Sequence, residues 1–315
     1  MRTLSIDIGT NSTLYLVADI EDGNLEVVER GIAGNRLGIG KGADGWLPSE
    51  LIEENRQILV GMLKRGEELR CHRIKAVGTQ ALRSARNSVD FVAITNSIGL
   101  DLEIIDGERE AKMAWQGVIG NHLPSEQVAI LDIGGGSSEL IVGRGSEIEF
   151  SSSISIGAVT ATRQFNLDPP SESEIKMLRN QAKEMLRPWL EVAPLYCPLI
   201  GIAGTCTSLA SLGLQTVNYK PGVFEGYWLT RQAVVDWKER LLRLSLEERK
   251  ALPGMPPARA EILPAGTVIL EIAMEMLQKN GLNVSEKGLV FGLAWEIFYK
   301  GTGIATSVTN KFKSA

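Results

Sequence analysis

Twice in this chain a short apolar strand runs into Asp-Ile-Gly, turns through a small polar loop, and leaves as a second apolar strand. The first copy is Leu4-Ser5-Ile6-Asp7-Ile8-Gly9-Thr10-Asn11-Ser12-Thr13, followed by the apolar run 14–20. The second is Ile130-Leu131-Asp132-Ile133-Gly134-Gly135-Gly136-Ser137-Ser138-Glu139, followed by 140–142. An offset of 125 residues superposes Asp7 on Asp132, Gly9 on Gly134, Ser12 on Ser137 and Val17 on Val142. A single such loop reads as an ordinary glycine hairpin turn. A matched pair points instead to a duplicated half-domain with a polyanion held between the halves.

A glycine-rich turn lets backbone N–H groups converge, because no Cβ blocks the approach, and such nests bind phosphate oxygens. Thr10, Asn11, Ser12, Ser137 and Ser138 add short side-chain donors. Asp7 and Asp132 stand at strand ends, where a carboxylate can hold a hydrated Mg²⁺ or a water beside phosphate. The loops are not a Walker P-loop, since no Gly-Lys-Ser/Thr follows. They are not a dinucleotide fingerprint either, since a strand and not a helix leaves each turn.

Composition narrows the chemistry further. The 315 residues leave room for two domains, and 44% hydrophobic with 23% charged residues is a globular balance. No apolar run is long enough to span a bilayer and Met1 leads straight into a strand, so the expectation is a cytoplasmic protein with no membrane partner. Cys71, Cys197 and Cys206 are odd in number and lack Cys-x-x-Cys spacing, which argues against a disulfide framework or a zinc site. Two histidines, His72 and His122, leave little for a His-rich metal centre or a Ser-His-Asp triad. The net charge of −5 means that a polyanion must be drawn by a local cluster of Arg, Lys and N–H groups. The six tryptophans are scattered and form no stacking platform, so no nucleic-acid partner is expected.

Strand-like runs alternate with amphipathic stretches, which predicts an α/β chain. Residues 26–32 read as a third strand, and Ser49 reads as the cap of a helix carrying Leu51, Ile52, Ile58, Leu59, Met62 and Leu63. Strands are expected at 74–79 and 102–105, and a helix from Asp106 to about 119. The stretch Gly120-Asn121-His122-Leu123-Pro124-Ser125 breaks the pattern and sets the expected boundary between domains 1–123 and 124–315. The second half repeats the plan: hairpin, strand at 151–156, helix from Ser171 to about Arg187 ended by Pro188, and a buried strand at 198–203. Further helices are expected at 230–244, 266–279 and 286–299, with a frayed tail at 302–315.

These residues resemble the exopolyphosphatase / guanosine pentaphosphate phosphohydrolase (Ppx/GppA) phosphatase family in its short form. The two loops resemble the family's two phosphate loops. Gly78-Thr79-Gln80-Ala81-Leu82-Arg83 is similar to its Gly-Thr-x-x-Leu-Arg segment, and Asp106-Gly107-Glu108-Arg109-Glu110-Ala111 to the segment carrying its catalytic glutamate. The match continues through Ile156-Gly157-Ala158-Val159, the run from Gly201 to Thr205, and Arg259-Ala260-Glu261. The resemblance implies two ribonuclease-H-like domains around an interdomain cleft, the fold of actin, sugar kinases and heat-shock chaperone ATPases. It also implies Mg²⁺ or another divalent cation, polyphosphate or guanosine penta- or tetraphosphate as partner, and a homodimer. The chain ends where the short members end, without the helical domains that follow in the long ones. Three departures stand out. Gly288-Leu289-Val290-Phe291-Gly292 replaces Gly-Leu-Arg-acid-Gly, Phe224-Glu225-Gly226 replaces Val-His-Gly, and Arg109 replaces a second glutamate. The first two fall in the expected second domain and bear on substrate grip.

Glu110 is the candidate for orienting and deprotonating the attacking water. In a helix it would share a side with Met113, Ala114 and Gly117, small or apolar neighbours that would desolvate the carboxylate and raise its pKa. The alternative is a surface glutamate favoured by a helix N-terminus. Arg83 would meet a phosphate oxygen through its planar fork, with Arg86 and Arg36 as further candidates. Asp132 and Glu139, on the two arms of the second hairpin, are the expected metal ligands, with Asp7 contributing through water. Gly9, Thr10, Asn11, Ser12, Gly134, Gly135, Gly136 and Ser137 form the expected phosphate nests. Gly204 and Thr205 are either another wall of the phosphate channel or a plain strand-to-helix turn.

Three functions remain open at this level. The first is a phosphoanhydride hydrolase releasing orthophosphate from polyphosphate or guanosine pentaphosphate. The second is a non-hydrolytic sensor of guanosine tetraphosphate, motivated by the changes at Val290, Phe291 and Glu225. The third is an ATP-dependent kinase or filament-forming ATPase of the same superfamily.

Overall fold

The computed structural model describes residues 1–302, apart from His122, Asn166, Pro169 and Val217, together with 309–310. His122 of the expected boundary segment, and most of the tail expected to fray, lie outside the described residues. The chain divides into two units, one comprising 1–123 with 287–309, the other 124–286 with 310–315.

The first unit opens with β1 (Arg2–Ile8), β2 (Ser12–Glu21) and β3 (Asn24–Gly34), an antiparallel meander. Then come α1 (Leu37–Gly40), α2 (Ser49–Glu68), β4 (Arg73–Gly78), α3 (Gln80–Arg83), α4 (Ser88–Ser97), β5 (Leu102–Ile104) and α5 (Gly107–Ile119). The sheet order is β3-β2-β1-β4-β5, with β4 and β5 added parallel to β1. β1 lies at the centre and is buried on both faces, with Leu4, Ile6 and Ile8 on one and the small polar Thr3 and Ser5 on the other. Leu4, Ile6 and Ile8 pack toward Leu51, Ile52, Leu59 and Met62 of α2. Ser49 is the first residue of α2 and not its cap, which is Pro48.

The second unit repeats that plan. Its strands and helices are β6 (Val128–Ile133), β7 (Ser138–Arg144), β8 (Glu147–Ile154), α6 (Ala158–Gln164), α7 (Glu172–Met185), β9 (Leu199–Ile202), α8 (Ala203–Gly213), β10 (Trp228–Thr230), α9 (Arg231–Arg243), α10 (Leu246–Lys250), α11 (Leu263–Met276) and β11 (Gly281–Val284). α7 stops before Pro188, and the chain continues as a 3₁₀ turn over Arg187–Glu191. The sheet order is β10-β11-β9-β6-β7-β8, with β12 (Thr309–Asn310) at the outer edge. Stripped of β10 and β12 it is the first sheet again, three antiparallel strands followed by two parallel ones. The correspondence reaches a local irregularity. The pairing of the second strand with the third shifts register opposite Val17 and Ala18 in one unit and opposite Val142 and Gly143 in the other, the same 125-residue offset, with Val28 and Glu149 as the extra residues on β3 and β8. Both units are ribonuclease-H-like, and the two-domain α/β class is that of the actin-like folds.

One boundary needs correction. The second domain was expected to run from 124 to 315, but α12 (Leu289–Thr302) belongs with the first unit. Its Val290, Phe291, Ala294, Trp295 and Phe298 pack on Leu16, Ala18 and Ile20, which face away from α2. Leu289, Leu293 and Ile297 join Val77, Ile105 and Met113. The reason is coverage: the sheet has two apolar faces, α2 lies on one, and residues 1–123 hold too little helix for the other. Burying a large apolar side chain is worth roughly 2 kcal/mol. Losing the four large ones among those five would cost an amount comparable with the net stability of a domain, about 5–15 kcal/mol. Among the described residues no helix is long and apolar enough to cross a membrane.

Candidate active site

In the first unit three segments leave neighbouring parallel strands at their carboxyl ends, where open α/β sheets bind ligands. Gly9–Ser12 follows β1, Thr79–Arg83 follows β4, and Ile105–Glu110 follows β5. With strands about 4.8 Å apart, the start of α5 lies roughly 10 Å from the first loop.

The first loop is held from behind. Gly9 N donates to Ser12 O at 3.0 Å, and a Cβ on Gly9 would stand only 3.1 Å from that oxygen. The Thr10 and Asn11 carbonyls accept from Gly38 N, and from Asn35 N and Arg36 N. The buried Asn35 amide adds bonds to Gly9 O and Thr13 Oγ1. The loop's carbonyls are thus occupied, while the N–H groups of Thr10 and Asn11 enter no backbone–backbone bond among the described residues. That is the polarity of an anion nest. Asn35 was not foreseen, although a lone Asn after a strand is a common turn residue.

Glu110 sits in the first turn of α5, which Asp106 caps by accepting from Arg109 N at 2.8 Å. Its side chain is 15% exposed, and its helix neighbours Met113 and Ala114 are buried, as the sequence led us to expect. Burial pushes the Glu110 carboxyl above the usual carboxylate range, and the Arg83 guanidinium opposes that shift. Arg83 was expected to face phosphate. Instead its Nη1 donates to Glu110 Oε2 and to Ile105 O, both at 2.7 Å, while Nε and Nη2 donate to Gln80 Oε1. Four of the guanidinium's five N–H groups are thereby engaged, leaving one on Nη2. The other two arginine candidates are exposed. Arg36 brings its backbone to the first loop, and Arg86 lies along the Gly45 turn.

In the second unit the corresponding strand ends carry a different set. Gly134 N donates to Ser137 O, closing the second loop. The Gly134 and Gly135 carbonyls accept from Ala158, Val159 and Thr160 N at the start of α6. That approach requires glycine at 157, where a Cβ would fall 2.6 Å from the Gly135 carbonyl carbon. The Gly134, Gly135 and Ser137 carbonyls are thus taken, and the Gly135, Gly136 and Ser137 N–H groups enter no backbone–backbone bond among the described residues.

Asp132 pairs across the hairpin with Glu139, whereas the first unit pairs Asp7 with Leu14. Directly opposed antiparallel residues have Cβ atoms about 5 Å apart. Asp132 and Glu139 therefore form a two-carboxylate pair that the first unit lacks. Glu139 is 3% exposed and accepts from Ser153 Oγ at 2.8 Å. Among the described residues no three His, Cys, Asp or Glu side chains converge as a metal cage. Two hard oxygen donors beside a phosphate nest nevertheless fit Mg²⁺, which takes one or two carboxylates and completes its shell with water and phosphate.

Gly204 and Thr205 open α8 after β9. The Thr205 hydroxyl is buried and donates to Ile133 O, so it braces the second loop from behind and does not point a donor at a ligand. Gly204 has the Arg259 guanidinium against it, where any Cβ would collide. Burial pushes Arg259 down to about 10, and the charge of Asp132 works against that shift. Arg259 is a candidate that the sequence alone did not single out. The run Arg259-Ala260-Glu261 had been noticed, but a single arginine in a Pro-rich stretch carries no sign that it reaches another strand end. Cys206 is fully buried, with its thiol pushed up by burial and by Asp132, as a packing residue.

The departures noted in the sequence hold structure. Val290 and Phe291 are core residues of the first unit, with Val290 O accepting from Ser5 Oγ at 2.8 Å. They lie outside the domain to which substrate grip had been assigned. Gly117 and Gly292 allow α12 to cross α5. A Cβ on Gly292 would collide with the Met113 carbonyl, and one on Gly117 with that of Gly288. The Glu225 carboxylate accepts from Ser285 Oγ and Glu286 N, fastening the end of β11.

Comparison with known proteins identifies the family. The model of the Ppx/GppA phosphatase family matches residues 16–300. Exopolyphosphatase 2 of Mycobacterium tuberculosis is 30% identical over 311 residues, covering 93% of this chain and 97% of that protein. The crystal structure of the Aquifex aeolicus member of the Ppx/GppA family is 32% identical with a TM-score of 0.81, covering 96% of this chain and 98% of its own. An exopolyphosphatase from Cytophaga hutchinsonii is 26% identical with a TM-score of 0.86, covering 98% and 100%. With its paired glycine loops, its repeated sheets and a match that runs nearly end to end, this chain belongs to the Ppx/GppA phosphatase family.

Proposed function

We propose that this protein is a phosphoanhydride hydrolase that removes terminal orthophosphate from inorganic polyphosphate, with the 5′-phosphate of guanosine pentaphosphate as the second substrate to test. The observation that carries the reading is the buried Glu110 carboxylate, held by Arg83 at the strand ends beside the first phosphate nest. A desolvated carboxylate of raised pKa is a competent base for water near neutral pH. The exopolyphosphatase names of the relatives lend the substrate class its support.

In this account Glu110 accepts a proton from a water as its oxygen attacks the terminal phosphorus. The bond from that phosphorus to the bridging oxygen breaks, so one orthophosphate and a chain shorter by one unit leave. Arg83 holds Glu110 in orientation, and its remaining N–H is available to the phosphoryl oxygens. The N–H groups of the first loop orient the terminal phosphate, and those of the second loop with Arg259 form a further anion site. Asp132 and Glu139 would hold a divalent cation, which would offset phosphate charge. Most of the rate would come from positioning and electrostatics, as in other phosphoryl transfers. The sensor reading rested on Val290, Phe291 and Glu225, and the packing and bonding of those residues supply a reason for their identities that has nothing to do with lost catalysis.

The test is orthophosphate release with Mg²⁺ from long polyphosphate, short polyphosphate, guanosine pentaphosphate and ATP. Release from polyphosphate or the pentaphosphate supports the hydrolase. Phosphoryl transfer from ATP to an acceptor, with neither of those substrates cleaved, would replace it with a kinase.

A further inference from the structure

The residue before Glu110 belongs to a charged network on the other side of α5. Arg109 Nη1 donates to Glu103 of β5, and Nη2 donates to both carboxylate oxygens of Glu296 on α12, at 2.9 and 3.2 Å. Lys75 of β4 donates to Glu103 at 2.9 Å and lies 3.5 Å from Glu296. Lys300, one turn along α12, donates to Glu296 at 2.7 Å. Both carboxyls are held below the usual range by these cations, against the cost of burial.

Consecutive helix residues project about 100° apart. The first turn of α5 is therefore gripped on two sides, by Arg109 toward β5 and α12 and by Glu110 toward Arg83. We propose that Arg109 is a positioning residue for hydrolysis: it ties the first turn of α5 to β5 and α12 and so keeps the Glu110 carboxylate against Arg83. The proposal rests on Glu110 being the base. A network used only for stability could sit anywhere along the interface of α5 and α12, yet this one closes on the residue adjacent to that base. Its second anchor, Glu296, comes from the chain segment that returns to the first unit after residue 286.

The test is a double-variant cycle on polyphosphate hydrolysis, with Arg109→Ala, Glu110→Gln and both together, each assayed well below its own melting temperature. Glu296→Gln serves as an independent way to loosen the same turn. Arg179→Ala, which removes an ion-paired arginine from α7 in the second unit, is the control for generic loss of a salt bridge. Misplacing a reacting group by an ångström costs up to about a hundredfold. The expected result is a fall in kcat of about ten- to a hundredfold for Arg109→Ala, a smaller fall for Glu296→Gln, and KM within about twofold in both. The double variant should be no slower than Glu110→Gln, because Arg109 acts through Glu110. Full kcat in Arg109→Ala, multiplied losses in the double variant, or an equal loss in Arg179→Ala would overturn the positioning role while leaving the base intact. Full kcat in Glu110→Gln would overturn the base, and with it this proposal.

Discussion

Arg83 Nη1 donates to Glu110 Oε2 at 2.7 Å, so the cation expected to face the phosphate faces the carboxylate proposed as the base. The pair joins the segment after β4 to the first turn after β5, and only 21% and 15% of the two side chains are exposed. Burial and Arg83 act on Glu110 in opposite directions, and burial prevails. In the proposed reaction burial would make the carboxylate more basic, while Arg83 favours its ionised form and fixes its orientation.

Removing Arg83 should therefore change the pH profile as well as the rate. With the cation gone, burial acts unopposed and the Glu110 pKa rises further. A base must be ionised to work, so the acid limb of the kcat profile moves to higher pH in Arg83→Ala. At neutral pH the same variant loses about a hundredfold in kcat. Arg83→Lys keeps a charge without the fork and should fall between the two. A rate–pH series checks both statements, and an unmoved acid limb would mean that the pair does not set the ionisation of the base.

The crossing of α5 and α12 yields a stability prediction. A methyl group at position 292 would collide with the Met113 backbone carbonyl, which cannot turn aside as a side chain would. Gly292→Ala should cost about 2–3 kcal/mol, within the usual range for overpacking. Urea unfolding followed by the fluorescence of Trp115 and Trp295, both buried in the first unit, reads it out. A loss below about 0.5 kcal/mol, the range of an ordinary surface change, would show that the helices do not approach so closely.

At Gly204 the outcome should be the reverse. The obstacle there is the end of the Arg259 side chain, which can move. Gly204→Ala is expected to leave stability within about 1 kcal/mol and to raise KM for polyphosphate about tenfold by displacing the guanidinium. Arg259→Ala should raise KM by at least as much. Unchanged KM in both variants would remove Arg259 from the anion site.

The difference between the hairpins gives a prediction about metal. Glu139 faces Asp132, while its counterpart in the first unit is Leu14. Glu139→Gln should raise the Mg²⁺ concentration needed for half-maximal activity about tenfold or more, with little change at saturating metal. Leu14→Gln, on the same strand position of the other unit, should leave that concentration unchanged. Equal effects in both, or none at Glu139, would place the cation elsewhere.

Much of this was visible in the chain before its structure, and the reasons differ by residue. The paired Asp-Ile-Gly loops announced the duplication because each is a local pattern, and the shared bulge opposite Val17 and Val142 follows from the same repeat. The helix of Glu110 was legible from Asp106 as a cap and from the small or apolar residues at i+3, i+4 and i+7. β11 was missed because Gly281-Leu282-Asn283-Val284 is short and lies between two helices, and it is made a strand by its pairing with β10 on one side and β9 on the other. The return of α12 to the first unit was not legible either. Its apolar residues announce a helix with a buried face, and nothing local says which sheet buries it. The same limit explains Arg83 and Arg259: their residue types were noted, but their partners lie 27 and 127 positions away at Glu110 and Asp132.

Attack by a water that Glu110 activates is tested by polyphosphate hydrolysis in heavy-oxygen water by the wild type and Glu110→Gln, with polyphosphate binding measured alongside. The account predicts one heavy oxygen in each orthophosphate released by the wild type, and none in the shortened chain. It predicts at least about a hundredfold slower release from Glu110→Gln with binding retained. Wild-type release from Glu110→Gln, or heavy oxygen in the shortened chain, would contradict attack on the terminal phosphorus by a water that Glu110 activates.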